Sequence, residues 1–175
     1  MNMKINIKYL QFISATGIML FTSIFAIAQS GHKMNKLVVT ESSSIHIDMN
    51  SVIAAGENSE KVMSNNQWLN YSLHVNPSDP VSSISVSVVS GNLPPGVEIY
   101  VQAGRHTGNG QGKTGVPAGK VKIDNVPKVI LGGIGSSSTG NGNFQGHQII
   151  FSMMITDFAL LQPGNYTIYL QYTLN

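Results

Sequence analysis

The chain has no cysteine, only one tryptophan, and charged residues make up just 10% of its 175 positions. Without cysteine there is no disulfide scaffold, no thiolate metal cage and no thiol nucleophile. Runs of one charge are missing too. The 10 Lys plus Arg stand against 8 Asp plus Glu without clustering, so no basic stripe is available to track a phosphate backbone or an anionic lipid surface. Nucleic acid is not an expected partner. The acids, among them Asp48, Asp79, Glu98, Asp124 and Asp157, are scattered. No Gly-x-Ser-x-Gly elbow occurs, so no catalytic group and no cofactor is expected.

The N-terminus does have a long apolar run. Lys4 and Lys8 precede an uncharged stretch ending at Ala26-Ile27-Ala28. A charged start, an apolar middle and a small-x-small exit are the parts of an export signal. Residues 1–28 are therefore expected to be a removable leader, and a retained membrane anchor is the alternative. Cleavage after Ala28 leaves 147 of the 175 residues, one domain's worth, 29–175. It also takes Lys4 and Lys8 away, lowering the basic count from 10 to 8, equal to the acids. The expected product is a neutral domain, secreted, periplasmic or at the cell surface, with no membrane contact after cleavage.

Past the leader, apolar residues recur at every second position, the period of a strand. Ile45, Ile47 and Met49 alternate with His46 and Asp48; Leu69, Tyr71, Leu73 and Val75 with Asn70, Ser72 and His74. Ile84-Val86-Val88, Val97-Ile99-Val101 and Ile149-Phe151-Met153-Ile155 repeat the pattern, with shorter strands at 121–123 and 129–131 and a last one at 166–174. Turn chemistry separates them at Asn76-Pro77, Leu93-Pro94-Pro95-Gly96 and Gln162-Pro163-Gly164-Asn165. The best helix candidate, 52–62, is interrupted by Gly56 and Asn58. The expected fold is all-β, an antiparallel immunoglobulin-like β-sandwich, with a barrel as the alternative. Two long glycine-rich loops are expected at 104–119 and 132–146.

Individual residues give weaker signals. The run Thr107-Gly108-Asn109-Gly110-Gln111-Gly112-Lys113-Thr114 imitates a phosphate loop. It lacks the leading glycine and a following helix, and reads as a hairpin connection. His46 and His74 fall on polar strand phases and are expected to be exposed. His106 and His147 sit in or beside the glycine loops, where they could meet, but no histidine pair has metal-ligand spacing and no metal is expected. Trp68 falls on the opposite phase from Leu69 and Tyr71. It either packs as a structural residue or offers a ring to a sugar, together with Tyr100 and Tyr169 if their outer faces coincide. The candidate ligand surface is Trp68, Tyr100, His106 and His147. Asn70-Tyr71-Ser72 and Asn165-Tyr166-Thr167 match the N-glycosylation acceptor pattern inside expected strands.

The ending Leu161-Gln162-Pro163-Gly164-Asn165-Tyr166-Thr167-Ile168-Tyr169-Leu170-Gln171-Tyr172-Thr173-Leu174 is similar to that of bacterial pilin-like subunits of the spore-coat-U and archaic chaperone–usher type. Trp68-Leu69-Asn70-Tyr71, Leu93-Pro94-Pro95-Gly96 and the stretch 140–151 look like secreted bacterial β-domains. The chain departs from that pattern in having no cysteine pair, and Leu174 stands where an aromatic would be penultimate. The resemblance implies a non-catalytic structural or adhesive surface protein. In such subunits a segment from a neighbour completes the sheet by β-augmentation. Ile45, Ile47 and Met49, within 36–49, form the candidate strand-exchange segment, and the same residues read equally as the domain's own first strands. Other copies or subunits are the expected partners. The competing reading is a carbohydrate-binding module that takes a glycan with Trp68 and the glycine loops.

Overall fold

The computed structural model describes residues 36–40, 43–50 and 60–175. The expected leader, 1–28, lies outside them, as does most of the helix candidate. That candidate's end, from Glu60 on, is strand. In chain order the strands are β1 (Lys36–Val39), β2 (Ser44–Asp48), β3 (Glu60–Leu73), β4 (Ser82–Gly91) and β5 (Val97–Thr107). They continue as β6 (Gln111–Pro117), β7 (Lys120–Lys122), β8 (Lys128–Ser138), β9 (Gly146–Ile155) and β10 (Asn165–Leu174). The one helical turn among the described residues is 3-10, Phe158–Leu160, where the Ala159 amide donates to Asp157 Oδ1 at 2.9 Å. Every pairing is antiparallel, so the all-β expectation holds.

The ladders form two halves. β2, β10, β4, β8 and β6 neighbour one another in that order, as do β1, β3, β9, β5 and β7. One strand joins them. Along one edge β8 pairs with β6, from Gln111↔Ser138 to Pro117↔Leu131. Along the other it pairs first with β4, Val86↔Lys128 to Ser82↔Ile134, and then with β3 at Leu73↔Ser137 and Ser72↔Ser138. The chain then leaves β3 for a loop and rejoins the same edge at Leu69↔His147 as β9. Opposite the gap, the Thr139 amide donates to Tyr71 O at 2.9 Å and the Tyr71 amide donates to Thr139 Oγ1 at 2.8 Å. These bonds satisfy backbone groups the excursion would leave unpaired.

Alternation places the core as the sequence predicts. Ile45, Ile47, Leu69, Tyr71, Leu73, Ile84, Val86, Ile99, Val101, Ile149, Phe151 and Ile168 are buried in a single apolar cluster drawn from both halves. His46 and His74 are exposed. The central strand β9 has β3 on one side and β5 on the other, and Phe151, fully buried, is its largest core side chain.

The two glycine loops are a correction. Within 104–119, residues 104–107 extend β5 and residues 111–117 are β6; within 132–146, residues 132–138 belong to β8. True turns remain only at 108–110, 118–119 and 139–145. Glycine hides the two-residue alternation because it has no side chain to count. These glycine and serine strands persist because β6 and β8 pair with each other. Gly146 opens β9 at φ +80°, where an added Cβ would sit 2.3 Å from Leu69 O, so backbone approaches backbone there as only glycine allows.

Phe151→Ala is expected to cost about 3–5 kcal/mol of stability by emptying the centre of this cluster. Val129→Ala, on an exposed position, should stay within about 0.5 kcal/mol. Urea denaturation of the two variants against the parent measures both.

Candidate functional site

Two connections meet at one end of β3, β5 and β9: the β5–β6 turn, 108–110, and the β8–β9 loop, 139–145. Their shortness and glycine content leave the backbone many conformations, and side chains choose one. Asn70, 2% exposed in β3, donates from Nδ2 to Gln145 O at 2.6 Å and accepts from the Gly142 amide at 3.0 Å. Gln145 in turn accepts at Oε1 from the Asn109 amide at 2.9 Å, tying loop to turn. Thr107 Oγ1 donates to Phe144 O at 3.4 Å. The Asn70 acceptor pattern is therefore spent inside the protein: its amide nitrogen is a buried donor and unavailable to a glycan.

A polar node lies beneath. His147 Nδ1 stands 2.9 Å from Gly104 O, and Nε2 stands 3.0 Å from Thr114 O and 3.1 Å from the Tyr71 hydroxyl. The Tyr71 hydroxyl also donates to Thr114 O. The Tyr71 and His147 rings lie nearly parallel, 7° apart with centroids at 5.9 Å, and His106 meets His147 edge-on at 5.6 Å. The two histidines thus come together, as register partners on β5 and β9 rather than through the loops expected there. An imidazolium would donate to both carbonyls, whereas a neutral ring has one N–H for two acceptors. Burial nevertheless dominates and lowers the His147 pKa below its ordinary 6.5; the two carbonyls pull it back up, and His106 nearby lowers it further. Burial also raises the pKa of the Tyr71 hydroxyl. His106 Nε2 is buried without a hydrogen-bond partner, and Gly110 packs so close that an added Cβ would lie 2.2 Å from it. Among the described residues no group of three or more His, Cys, Asp or Glu is placed to hold a metal.

The remaining candidates separate. Trp68 is 6% exposed and faces away from the core cluster's phase. Its ring is met by Phe144 at 5.5 Å, tilted 55°, so the aromatic face open at this end belongs to Phe144. Tyr100 lies six residues from His106 along β5, about 20 Å at strand rise. Its hydroxyl donates to Glu98 Oε2 at 2.7 Å, and Lys120 Nζ sits 4.7 Å from its ring centroid. Lys122, 2.5 Å from Glu98 Oε1, and the Tyr100 hydrogen bond together hold the Glu98 carboxyl below the usual range. Tyr169 is in the other half, on β10, so the three aromatics do not share one surface. Ile45, Ile47 and Met49 are buried on and just after β2.

Sequence reading missed Phe144 and Gln145, and singled out Asn70 only as a glycosylation acceptor, not as the anchor of the loop. The available signal was the lone bulky apolar residue in Asn141-Gly142-Asn143-Phe144-Gln145-Gly146. Comparisons of this chain with protein-family models, curated proteins and solved structures returned no match.

His147 links the node to pH. The unfolded imidazole takes its proton near its ordinary 6.5 and the folded one only at lower pH. Between those values the unfolded state binds more protons, so stability is complete above that window and declines as pH falls through it. His147→Gln should flatten this decline. Urea midpoints at about pH 7.5 and about pH 5.5 measure it; equal acid-side losses in parent and variant would remove His147 as the cause.

Proposed function

We propose that the protein is an exported, non-catalytic structural or adhesive surface subunit, pilin-like and two-layered in the immunoglobulin manner, that assembles by exchange of its N-terminal segment. The observation that carries this reading is the placement of residues 36–40 and 43–50. β1 adds to β3 in one half, Lys36↔Ser72 to Val39↔Leu69, and β2 adds to β10 in the other, Asp48↔Asn165 to Ser44↔Tyr169. Both are edge strands, and each has a single partner strand among the described residues.

The segment still supplies core. Ile45, Ile47 and Met49 enter the apolar cluster while His46 and Asp48 face out. A terminal strand with alternate side chains filling a neighbour's groove is what β-augmentation uses, with main-chain bonds giving affinity and the pockets giving register. The same strand can seat in its own domain or in the next copy's, because the groove it fills is identical in both. Removing it exposes β10's edge and the Ile45 and Ile47 pockets together, which makes a vacant subunit sticky.

The purified chain is expected to form multimers that survive SDS without boiling. Ile47→Asp should abolish them by placing a carboxylate in the pocket, and a synthetic 36–50 peptide should compete with assembly. A parent protein that is strictly monomeric and refolds reversibly after heating, by size-exclusion chromatography and thermal scans, would rule out strand exchange.

A further inference from the structure

We propose that Phe144 and the amides around it form a binding platform for a neutral saccharide. Among the described residues Phe144 is the only non-glycine with positive φ, at 64°. A bulky aromatic side chain is uncommon in that region, and such strain persists where its surroundings over-determine it. They do so here. Asn70 grips the loop on both sides of Phe144, through the Gly142 amide and Gln145 O. Gln145 is tied to the Asn109 amide, and Thr107 donates to the Phe144 carbonyl. The outcome of all this fastening is a ring left 74% exposed. It leans on buried Trp68 at 5.5 Å, which backs it and limits its freedom.

The company that ring keeps points to the ligand class. Asn109 on the turn, Asn141 and Asn143 on the loop, and Thr107 and Gln111 at the strand ends flanking the turn are all exposed. Amide groups offer both a donor and an acceptor, the pairing that vicinal sugar hydroxyls need. The C–H face of a pyranose carries the partial positive charge that the face of an aromatic ring attracts. No carboxylate occurs between Glu98 and Asp124, or between Asp124 and Asp157, so nothing on this turn or loop complements a cationic ligand. A protein partner would call for a contiguous apolar patch, whereas Phe144 stands alone among polar neighbours. Arg105 and Lys113, both exposed, are the nearby charges in sequence, and they make anionic sugars the comparison to run.

This gives an adhesive subunit a ligand class, yet it does not depend on strand exchange, and the two can fail separately. The parent is screened on immobilised gluco-, manno-, galacto-, xylo- and N-acetylglucosamine oligosaccharides, alongside sulfated and uronic-acid oligomers. Titration calorimetry follows on the best neutral binder, and multimer state is read on the same samples. The expected result is saturable binding to a neutral oligomer, weakened about tenfold by Phe144→Ala, the loss of roughly one stacking contact. Phe144→Trp should keep it. Asn70→Ala should weaken it by freeing the loop while circular dichroism remains that of the parent. If Phe144→Ala fails to fold, Asn141→Ala with Asn143→Ala replaces it and should weaken binding likewise. A panel silent to folded protein, binding confined to anionic oligomers, or binding indifferent to these variants overturns the proposal, whatever the multimer state.

Discussion

Strand β8 cannot keep the same neighbour on both edges from end to end. Its first residues bond to β4, its last to β3, and β6 follows it along the opposite edge from Leu131 to Ser138. Backbone N–H and C=O groups buried without partners are costly, so each carbonyl released by one neighbour has to be taken up by the next. At the changeover the Val75 amide donates to Ser136 Oγ and Ser136 Oγ donates to Val75 O, both at 2.9 Å. Just past the end of β8, Thr139 and Tyr71 exchange both backbone and side-chain bonds. The two halves are thereby joined by hydrogen bonds at one corner and by a shared apolar filling elsewhere. Tyr71 also reaches His147, so the corner and the polar node share a residue.

The node is rigid because its members hold one another. His147 lies between carbonyls of β5 and β6, stacked on a ring from β3. With Gly104 O near one ring nitrogen and Thr114 O near the other, the imidazole sits as a spacer between the two strands. Above it the loop is fixed by amide side chains. Asn70 plays the part a backbone would play if β3 had a neighbour at that level on the edge away from β1, and it does so from a buried position where competition from water is small.

Much of this was legible in the sequence, and the limits have a physical cause. Where apolar residues alternate with polar or amphipathic ones, as in Ile45 to Ile47 or Val97 to Val101, strand and buried face follow together. Where glycine and serine replace them, as in Gln111 to Pro117 and Gly132 to Ser138, the strands exist through pairing across space and leave no local period. The meeting of His106 and His147 was suggested by loops expected to be neighbours, but its cause is that the two are register partners on β5 and β9. The exposed ring was harder to assign. Tryptophan draws attention as the largest aromatic side chain, but Trp68 is covered, and the residue that faces outward is the smaller Phe144, set by a backbone angle no composition reveals.

The pairing of β2 with β10 closes the chain upon itself over 121 positions, as the His46–Thr167 contact measures. A polypeptide emerging from a ribosome or a translocation pore delivers Ile45 and Ile47 early and Ile168 nearly last. Through most of its synthesis, then, β2 lacks the strand it pairs with in its own molecule. Only when β10 arrives can Ile45 and Ile47 be covered as they are in the finished domain, so this long-range pairing is among the last to form.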